Sequence, residues 1–264
     1  MASQILFFEK NKADISNANV TITGSQGVGF EDFVRNRSNN SGWVTDGSVD
    51  SDNTTLTVDF VDSHIIEDII LIDHNFKAYT IQYWTGAIYD DFSTPIAETV
   101  NTAVTTRHNF TAVTTTKLLL TITGTMVADA DKYLKQFIAT KDIGTFSAWP
   151  VIKPELGRNK AKNQMLSGKV SIRERTGARR ETLSIKVLST DADLTTIENL
   201  YFANEGFLYW PCGGDESQYR NERIGYRLED IYLMKCENEW NPAWYQGLYQ
   251  SGMKIDIKLI EVTD

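Results

Sequence analysis

Residues 168–211, GKVSIRERTGARRETLSIKVLSTDADLTTIENLYFANEGFLYWP, decide the fold of the second half of this chain. Apolar and polar residues alternate over 169–175 and again over 181–188. A period of two residues is typical of half-buried strands. Residues 176–178, with Gly177 at their centre, predict a turn that pairs these two segments as an antiparallel hairpin.

The hydrophobic period changes after residue 188. Leu194, Ile197 and Leu200 follow one another at helical spacing, after acidic residues that favour a helix N-terminus. We therefore predict one helix over residues 191–204. The apolar run 207–211 then predicts a short return strand.

The first 150 residues contain short apolar segments separated by polar loops, with almost no helical periodicity. Strands are predicted at 18–23, 54–60, 65–72, 79–84, 106–110, 117–123 and 131–139, and a loop at 33–43. Many short strands without intervening helices indicate a β-sandwich. Prolines 150 and 154 mark a domain boundary, so we predict a mainly β chain with domains at 1–146 and 147–264.

Charge and composition limit the classes of function. The net charge is −9 over 264 residues, but residues 153–180 contain nine basic and two acidic residues, so this segment carries +7 and the remainder −16. An acidic protein repels phosphate, so we expect no stable nucleic-acid binding. No apolar run reaches membrane-spanning length and no secretory signal is recognisable. We therefore expect no membrane association, synthesis in a cytoplasm, and thiols at Cys212 and Cys236.

A first resemblance rests on four short segments in succession. They are WVTDG at 43–47, TLTVDF at 55–60, IILIDHNF at 69–76 and YTIQY at 79–83. This succession resembles the galactose-binding-like jelly roll of discoidin domains, which also occurs in phage virion proteins. The resemblance implies a jelly-roll sandwich. It also implies a sugar site near His74 and Asn75, with Tyr83 and Trp84 as further candidate glycan-binding residues.

The aromatic residues of one predicted hairpin have two interpretations. Tyr83, Trp84, Tyr89 and Phe92 surround residues 85–87. Exposed aromatic rings beside polar groups suit carbohydrate stacking. Alternating core and rim positions would give the same composition, and the sequence favours neither interpretation.

A second resemblance covers residues 150–264. The hairpin, the helix, the apolar strand FLYWP and the late strand ending in KLIEV resemble the split β-barrel of phage tail-tube and distal tail proteins. Distal tail proteins often place this barrel before the sandwich, whereas here it follows. The resemblance implies a structural protein of the virion tail, at the tail tip or baseplate. It would be made in the host cytoplasm and assemble as a ring, a hexamer by resemblance, that contacts the tail tube and other tail-tip proteins.

Two groups of residues are candidates for the ring interface. The basic residues Arg173, Arg175, Arg179 and Arg180 suit contact with the acidic surface of a neighbour. Aromatic residues are enriched at interfaces, so Trp240, Trp244 and Tyr245 suit either an interface or a local cap. The alternative function is a carbohydrate-binding adhesin that recognises host glycans through the sandwich.

Catalytic and metal-binding patterns are weak. The three histidines, His64, His74 and His108, accompany no nucleophile elbow, so structural roles are favoured and we predict no enzyme. Asp73, His74 and His108 match no zinc spacing. The oxygen-rich loop 46–53 could suit Ca²⁺, but it lacks the EF-hand pattern and a solvated turn is favoured. We therefore predict no metal and no cofactor.

Overall fold

The computed structural model describes residues 5–26, 30–37, 41–146, 151–155, 158–164, 170–176, 178–187, 191–211, 213, 228–239, 243–246 and 251–262. The strands are β1 (Leu6–Glu9), β2 (Thr21–Gly24), β3 (Trp43–Val44), β4 (Thr54–His74), β5 (Phe76–Trp84), β6 (Tyr89–Glu98), β7 (Thr106–Thr125), β8 (Tyr133–Thr140), β9 (Asp142–Gly144), β10 (Val151–Glu155), β11 (Arg158–Gln164), β12 (Val170–Thr176), β13 (Arg180–Val187), β14 (Phe207–Trp210), β15 (Tyr232–Cys236), β16 (Ala243–Gln246) and β17 (Ser251–Glu261). One α-helix, α1 (Asp191–Phe202), lies in the described part. The predicted mainly β fold with a packed helix is confirmed.

Strands β4 and β7 build the sandwich because each passes through both of its layers. Their pairing changes register between Asp59 and His64, where the alternation of the sequence is interrupted by polar residues and Val61 adopts a positive φ of 62°. The predicted separate strands 54–60 and 65–72 are thus the two halves of β4. The first half lies in a layer with β2 and β5, and the second in a layer with β8.

A mixed aliphatic and aromatic core fills the space between the two layers. Its members include Trp43, Leu56, Ile69, Tyr79 and Phe137, all 1% exposed or less. The segment that we predicted as the last strand of the sandwich is β8, which confirms that interpretation. The predicted loop over 33–43 is only partly correct, because residues 31–35 form a 3₁₀ turn.

A second sheet has the strand order β10-β13-β17-β15-β14-β1-β9, with β16 also paired to β17, and every pairing is antiparallel. In β17, Ile255, Ile257 and Leu259 are buried while the lysines and the aspartate between them are exposed. The alternating sequence of this strand thus places its apolar residues in the core and its charged residues outside.

The first strand of the chain lies in this second sheet. β1 pairs with β14, with Leu6 opposite Trp210 and Glu9 opposite Phe207, and its other edge pairs with β9. In the sequence, the strands of the sandwich therefore come after β1 and before β9, and these two strands are neighbours in the second sheet. The division at residues 146 and 147 stays a prediction, and strands from both sides of it share one sheet.

The hairpin predicted from residues 169–188 is wrong in its partners. The two predicted segments, β12 and β13, do not pair with each other. β12 pairs instead with β11, where Thr176 lies opposite Arg158 and Val170 lies opposite Gln164. β13 pairs with β10 and with β17. β11 and β12 form a separate two-stranded sheet. Alternation identifies strands but does not specify their partners, which explains the error.

The helix α1 covers one face of the second sheet. Ile197 and Leu200 are buried in a core shared with Phe7, Phe207 and Leu259. The helix ends at Phe202, two residues before the predicted end, and Gly206 follows with a φ of 93°. Positive φ is easily adopted by glycine, which ends the helical segment here. No helix among the described residues is long and apolar enough to cross a membrane.

The other face of this sheet packs on the sandwich. Ile70 and Ile72 of β4 point out of the sandwich and contact a core that contains Leu6, Phe8 and Trp210. The guanidinium of Arg107 lies 5.1 Å from the centre of the Phe8 ring and 2.6 Å from an oxygen of the buried Asp68 carboxylate. Because β4 is covered on both faces, residues 69–72 are all buried.

Candidate functional site

The two halves of the predicted sugar site lie at opposite ends of the sandwich. His74 and Asn75 lie where β4 ends and β5 begins, while Tyr83 and Trp84 lie at the far end of β5. At about 3.3 Å per residue, the eight steps from Phe76 to Trp84 span about 26 Å. These four residues do not form one site.

His74 and Asn75 hold the structure together at their end. His74 is fully buried, and its Nδ1 accepts a hydrogen bond from the Phe76 N–H at 3.1 Å. The Asn75 amide donates to the Asp131 carbonyl at 2.7 Å and accepts from the Tyr133 N–H at 3.0 Å. Both side chains thus use their hydrogen-bonding groups inside the fold.

His74 belongs to a buried polar network. Its Nε2 lies 3.1 Å from Thr106 Oγ1, and the Tyr79 hydroxyl lies 3.1 Å from that same atom and 2.9 Å from His108 Nε2. Burial lowers the pKa of His74 and of His108 to about 4, and it raises the pKa of Tyr79 to about 12. Both imidazoles are therefore neutral at physiological pH, and neither is placed to act on a ligand.

The remaining histidine and the proposed metal ligands show no metal chemistry. The His64 ring packs edge-on against Phe60 at 5.6 Å, and burial lowers its pKa. The Asp73 carboxylate pairs with Lys135. Within the described ranges, no group of three or more His, Cys, Asp or Glu side chains could hold a metal ion.

The oxygen-rich loop 46–53 surrounds a lysine. The fully buried Lys132 ammonium donates to Ser48 Oγ at 2.6 Å, to the Val49 carbonyl at 2.8 Å and to the Asp52 carbonyl at 3.1 Å. Burial lowers its pKa, although neighbouring carboxylates such as that of Asp50 oppose this effect. The Lys132 ammonium therefore lies in the loop whose oxygen-rich sequence could suit a bound Ca²⁺. The spacing of residues in the sequence does not indicate this role of the lysine.

The aromatic hairpin divides between core and surface. Tyr83 and Phe92 contact each other at 5.3 Å against the sandwich core, whereas Trp84 and Tyr89 pair on the outward side with their rings 5.0 Å apart at 64°. The interpretation as core positions therefore holds for Tyr83 and Phe92, and the interpretation as surface positions holds for Trp84 and Tyr89.

Polar pairs continue the outward row. Gln82 donates to Asp91 at 3.0 Å on the same face, one pair further along the two strands. Lys117 of β7 precedes Leu118, which lies opposite Tyr83, and it contacts Asp59 of β4 at 2.6 Å. The Asp59 carboxylate raises the pKa of Lys117, and Tyr89 contributes to the same shift. We call Asp59, Gln82, Trp84, Tyr89, Asp91 and Lys117 the aromatic face.

The candidate interface arginines differ in their surroundings. Arg179 donates to Glu181 and to the Tyr232 hydroxyl, each at 2.6 Å, so it is part of the second sheet. Arg180 contacts Glu237 at 3.2 Å and remains about half exposed. Arg173 and Arg175 lie in β12, and their side chains fall outside the described part of the chain.

The aromatic interface candidates are largely outside the described residues. Trp240 lies outside them entirely. Trp244 and Tyr245 lie in β16, opposite Met253 and Gly252 of β17, but their side chains are outside the described part. Their interface role stays a prediction.

Comparison with known proteins gives likenesses to solved structures alone. No family model matches the chain, and no curated protein matches it. It is similar to a point mutant of chitosan-binding module 1, derived from a chitosanase/glucanase of Paenibacillus sp. IK-5. The identity is 20% and the TM-score 0.42, over 50% of this chain and 98% of the module.

Two modules from Clostridium perfringens give similar values. The family 32 carbohydrate-binding module of NanJ, in complex with galactose, has 14% identity and a TM-score of 0.41 over 48% of this chain and 97% of that one. CpGH89CBM32-5, in complex with GalNAc-β-1,3-galactose, has 14% identity and a TM-score of 0.40 over 47% and 96%. Likenesses at this level do not assign a function, and the tail-tip resemblance stays a prediction.

The histidine network should make folding sensitive to acid. The pKa values of His74 and His108 are about 4 when folded and about 6.5 when unfolded, so the unfolded chain binds protons first as the pH falls. This contribution to stability is complete above about pH 6.5 and decreases towards pH 4, by about 2 kcal/mol per histidine at pH 5. We expect urea unfolding to show a loss of roughly 4 kcal/mol between pH 7.5 and 5. His108→Gln should halve this loss, and an unchanged pH dependence would contradict the assignment.

The lysine in loop 46–53 should make calcium unnecessary. Lys132→Met removes the fully buried donor to three loop oxygens and should lower the free energy of unfolding by about 3 kcal/mol. The exposed Lys77→Met is the matched control, with an expected change below about 0.5 kcal/mol. Neither Ca²⁺ nor a chelator should shift the Tm of the wild type, because a ligand that does not bind cannot stabilise. A Tm that rises with Ca²⁺ would refute this account.

Proposed function

We propose that this chain is a non-catalytic glycan-binding protein whose sugar site is the aromatic face. The observation that carries the proposal is the row formed by the Trp84–Tyr89 ring pair and the Lys117–Asp59 ion pair. A sugar ring offers C–H groups to an aromatic side chain and hydroxyls to carboxylate, amide and ammonium groups. Aromatic rings with a few placed polar groups are the usual composition of such sites.

The backbone beneath the aromatic face is fixed. Thr115 Oγ1 accepts from the Trp84 N–H at 3.1 Å and donates to the Trp84 carbonyl at 2.9 Å, and Thr115 itself is 2% exposed. This bond holds the end of β5 against the bend of β7. A site on rigid strands needs little ordering when a ligand binds, which favours affinity.

The position and charge of the aromatic face favour neutral glycans. It lies on the layer built from β5, β6 and the later part of β7, whereas the second sheet packs on Ile70 and Ile72 of the other layer. The face has one lysine and two aspartates, and the whole chain carries −9. Polyanionic glycans would be repelled by this field.

A glycan array of the purified protein, followed by calorimetric titration of the strongest ligand, tests the proposal. Trp84→Ala should weaken binding at least about tenfold, or about 1.4 kcal/mol, because it removes the main stacking surface. Ile88→Ala removes an exposed apolar side chain of the same hairpin and should leave affinity unchanged. An array without signal, or equal affinities for the three proteins, would reject the aromatic face as a glycan site.

A second candidate function is the structural component of a phage tail tip, which assembles as a ring. The observation that favours it is the hairpin of β11 and β12, which we call the arm. It forms a two-stranded sheet of its own, seven residue pairs long, so its six steps of about 3.4 Å span about 20 Å. A two-stranded hairpin alone is marginally stable in water, so a neighbouring molecule would stabilise it.

The charge of the arm suggests that the neighbour is a second copy. β11 and β12 contain five basic residues and one acidic residue, in a chain of net charge −9. Opposite charges on the arm and on the remaining surface favour association between copies. Such a ring would sit around the tail channel and contact the tube and other tail-tip proteins, with the sandwich outside.

Native mass spectrometry and negative-stain images of the wild type should show rings if this second function holds. Arg173→Glu with Arg175→Glu should yield monomers, because the arm then repels an acidic neighbour. Arg179 is left unchanged since it bonds to Glu181 and Tyr232. Lys77→Glu with Lys254→Glu alters the charge equally at two exposed positions and should leave rings intact. A monomeric wild type, or rings in the arm variant, would exclude this mode of assembly.

A further inference from the structure

A cleft separates the end of α1 from the chain segments that connect the second sheet to the sandwich. Its volume is about 590 Å³, and its lining comes from Glu9, Lys10 and Lys12, from residues 141–143, and from Asn199 and residues 202–206. Sites for small ligands typically measure about 300–1,000 Å³. The cleft is therefore large enough for a sugar unit.

The lining combines one exposed aromatic ring with balanced charges. Phe202 is 76% exposed at the end of α1, whereas the helix buries Ile197 and Leu200 on its sheet side. Three lysines line the cleft, and so do three carboxylates, which leaves no net charge. Asn199 and Asn204 add amide donors and acceptors. A neutral ligand with many hydroxyls and an apolar face matches this chemistry better than a phosphate or a hydrocarbon.

A smaller hollow extends the cleft towards the sandwich. It measures about 380 Å³ and adds Ser16, Asn17 and His64 to the lining. Lys10 and Glu205 line both spaces and lie 3.6 Å apart. Two adjoining hollows with a shared polar pair provide room for at least two consecutive sugar units.

We propose that this cleft is a second carbohydrate site, which takes a neutral oligosaccharide with Phe202 stacked against one sugar ring. The inference rests on the proposed glycan-binding function, but it involves none of the residues of the aromatic face. Glu205 and Lys10 hold hydroxyl groups where the two hollows meet. The site exists because β1 and β9 bring both ends of the sandwich segment beside α1.

Calorimetric titration with neutral tetrasaccharides tests the cleft; the probes are cellotetraose, N-acetylchitotetraose and lacto-N-tetraose. The wild type should bind at two sites, and Trp84→Ala should retain one of them. Phe202→Ala should weaken that remaining site at least about tenfold, because the stacking surface is lost. Phe33→Ala is the matched control, since it removes another exposed phenylalanine and should change neither site.

The outcomes separate the two sites. Binding that Trp84→Ala abolishes and Phe202→Ala leaves unchanged would refute the cleft while the aromatic face stands. No binding of any probe, together with a blank array, would refute both. Hydrogen exchange adds an independent measurement: ligand should slow exchange at residues 199–206 in the Trp84→Ala protein. Unchanged exchange there, or preference for sialylated over neutral probes, would overturn the proposed ligand class.

Discussion

The pairing of β1 with β14 is the constraint on which the rest of the structure depends. It joins Leu6–Glu9 to Phe207–Trp210, about 200 residues later in the chain. Because β9 pairs with the other edge of β1, the chain leaves and re-enters the second sheet at neighbouring strands. The sandwich is consequently held at both of its ends. Phe7 packs in the core under α1, and Phe8 packs in the core between the second sheet and the sandwich, so this one strand contributes to both.

Three hydrophobic cores among the described residues follow from that arrangement. One fills the sandwich, one lies between the sandwich and the second sheet, and one lies under α1. Three of the polar groups buried among them are bonded: Asp68 to Arg107, Lys132 to loop oxygens, and His74 to Thr106. Buried polar groups cost stability unless they find partners. Much of the buried polar chemistry of this chain therefore serves its fold, whereas the aromatic face, the arm and the cleft are the surfaces that we propose for recognition.

The sequence predicted which segments form strands or a helix better than it predicted which strands pair with each other. Alternation identified both halves of β4, most of β5 and β13, but no strand was predicted at β9, β10 or β11. Helical spacing located α1 within two residues. The short run LFFE of β1 has no readable period because its faces contact different cores, so its place in the second sheet could not be predicted. The same limit applies to the site. His74 and Trp84 are close in sequence, yet extended strands separate them by about 26 Å. The place of Trp84 and Tyr89 in one hairpin could be predicted from their spacing. The contacts of Lys132 and the lining of the cleft could not, because they involve segments that are distant in the sequence.

The order of synthesis gives the β1–β14 pair a further consequence. Leu6–Glu9 leaves the ribosome long before Phe207–Trp210, by roughly 10–40 s at about 5–20 residues per second. The sandwich core draws on residues from Ala13 to Ala139, so that unit can form during this interval. Phe7 and Phe8, both fully buried in the folded chain, can pair with β9 once Gly144 has been made, but they lack β14 until the ribosome has passed Trp210. During translation, one edge of β1 therefore stays open after all residues of the sandwich core have been made.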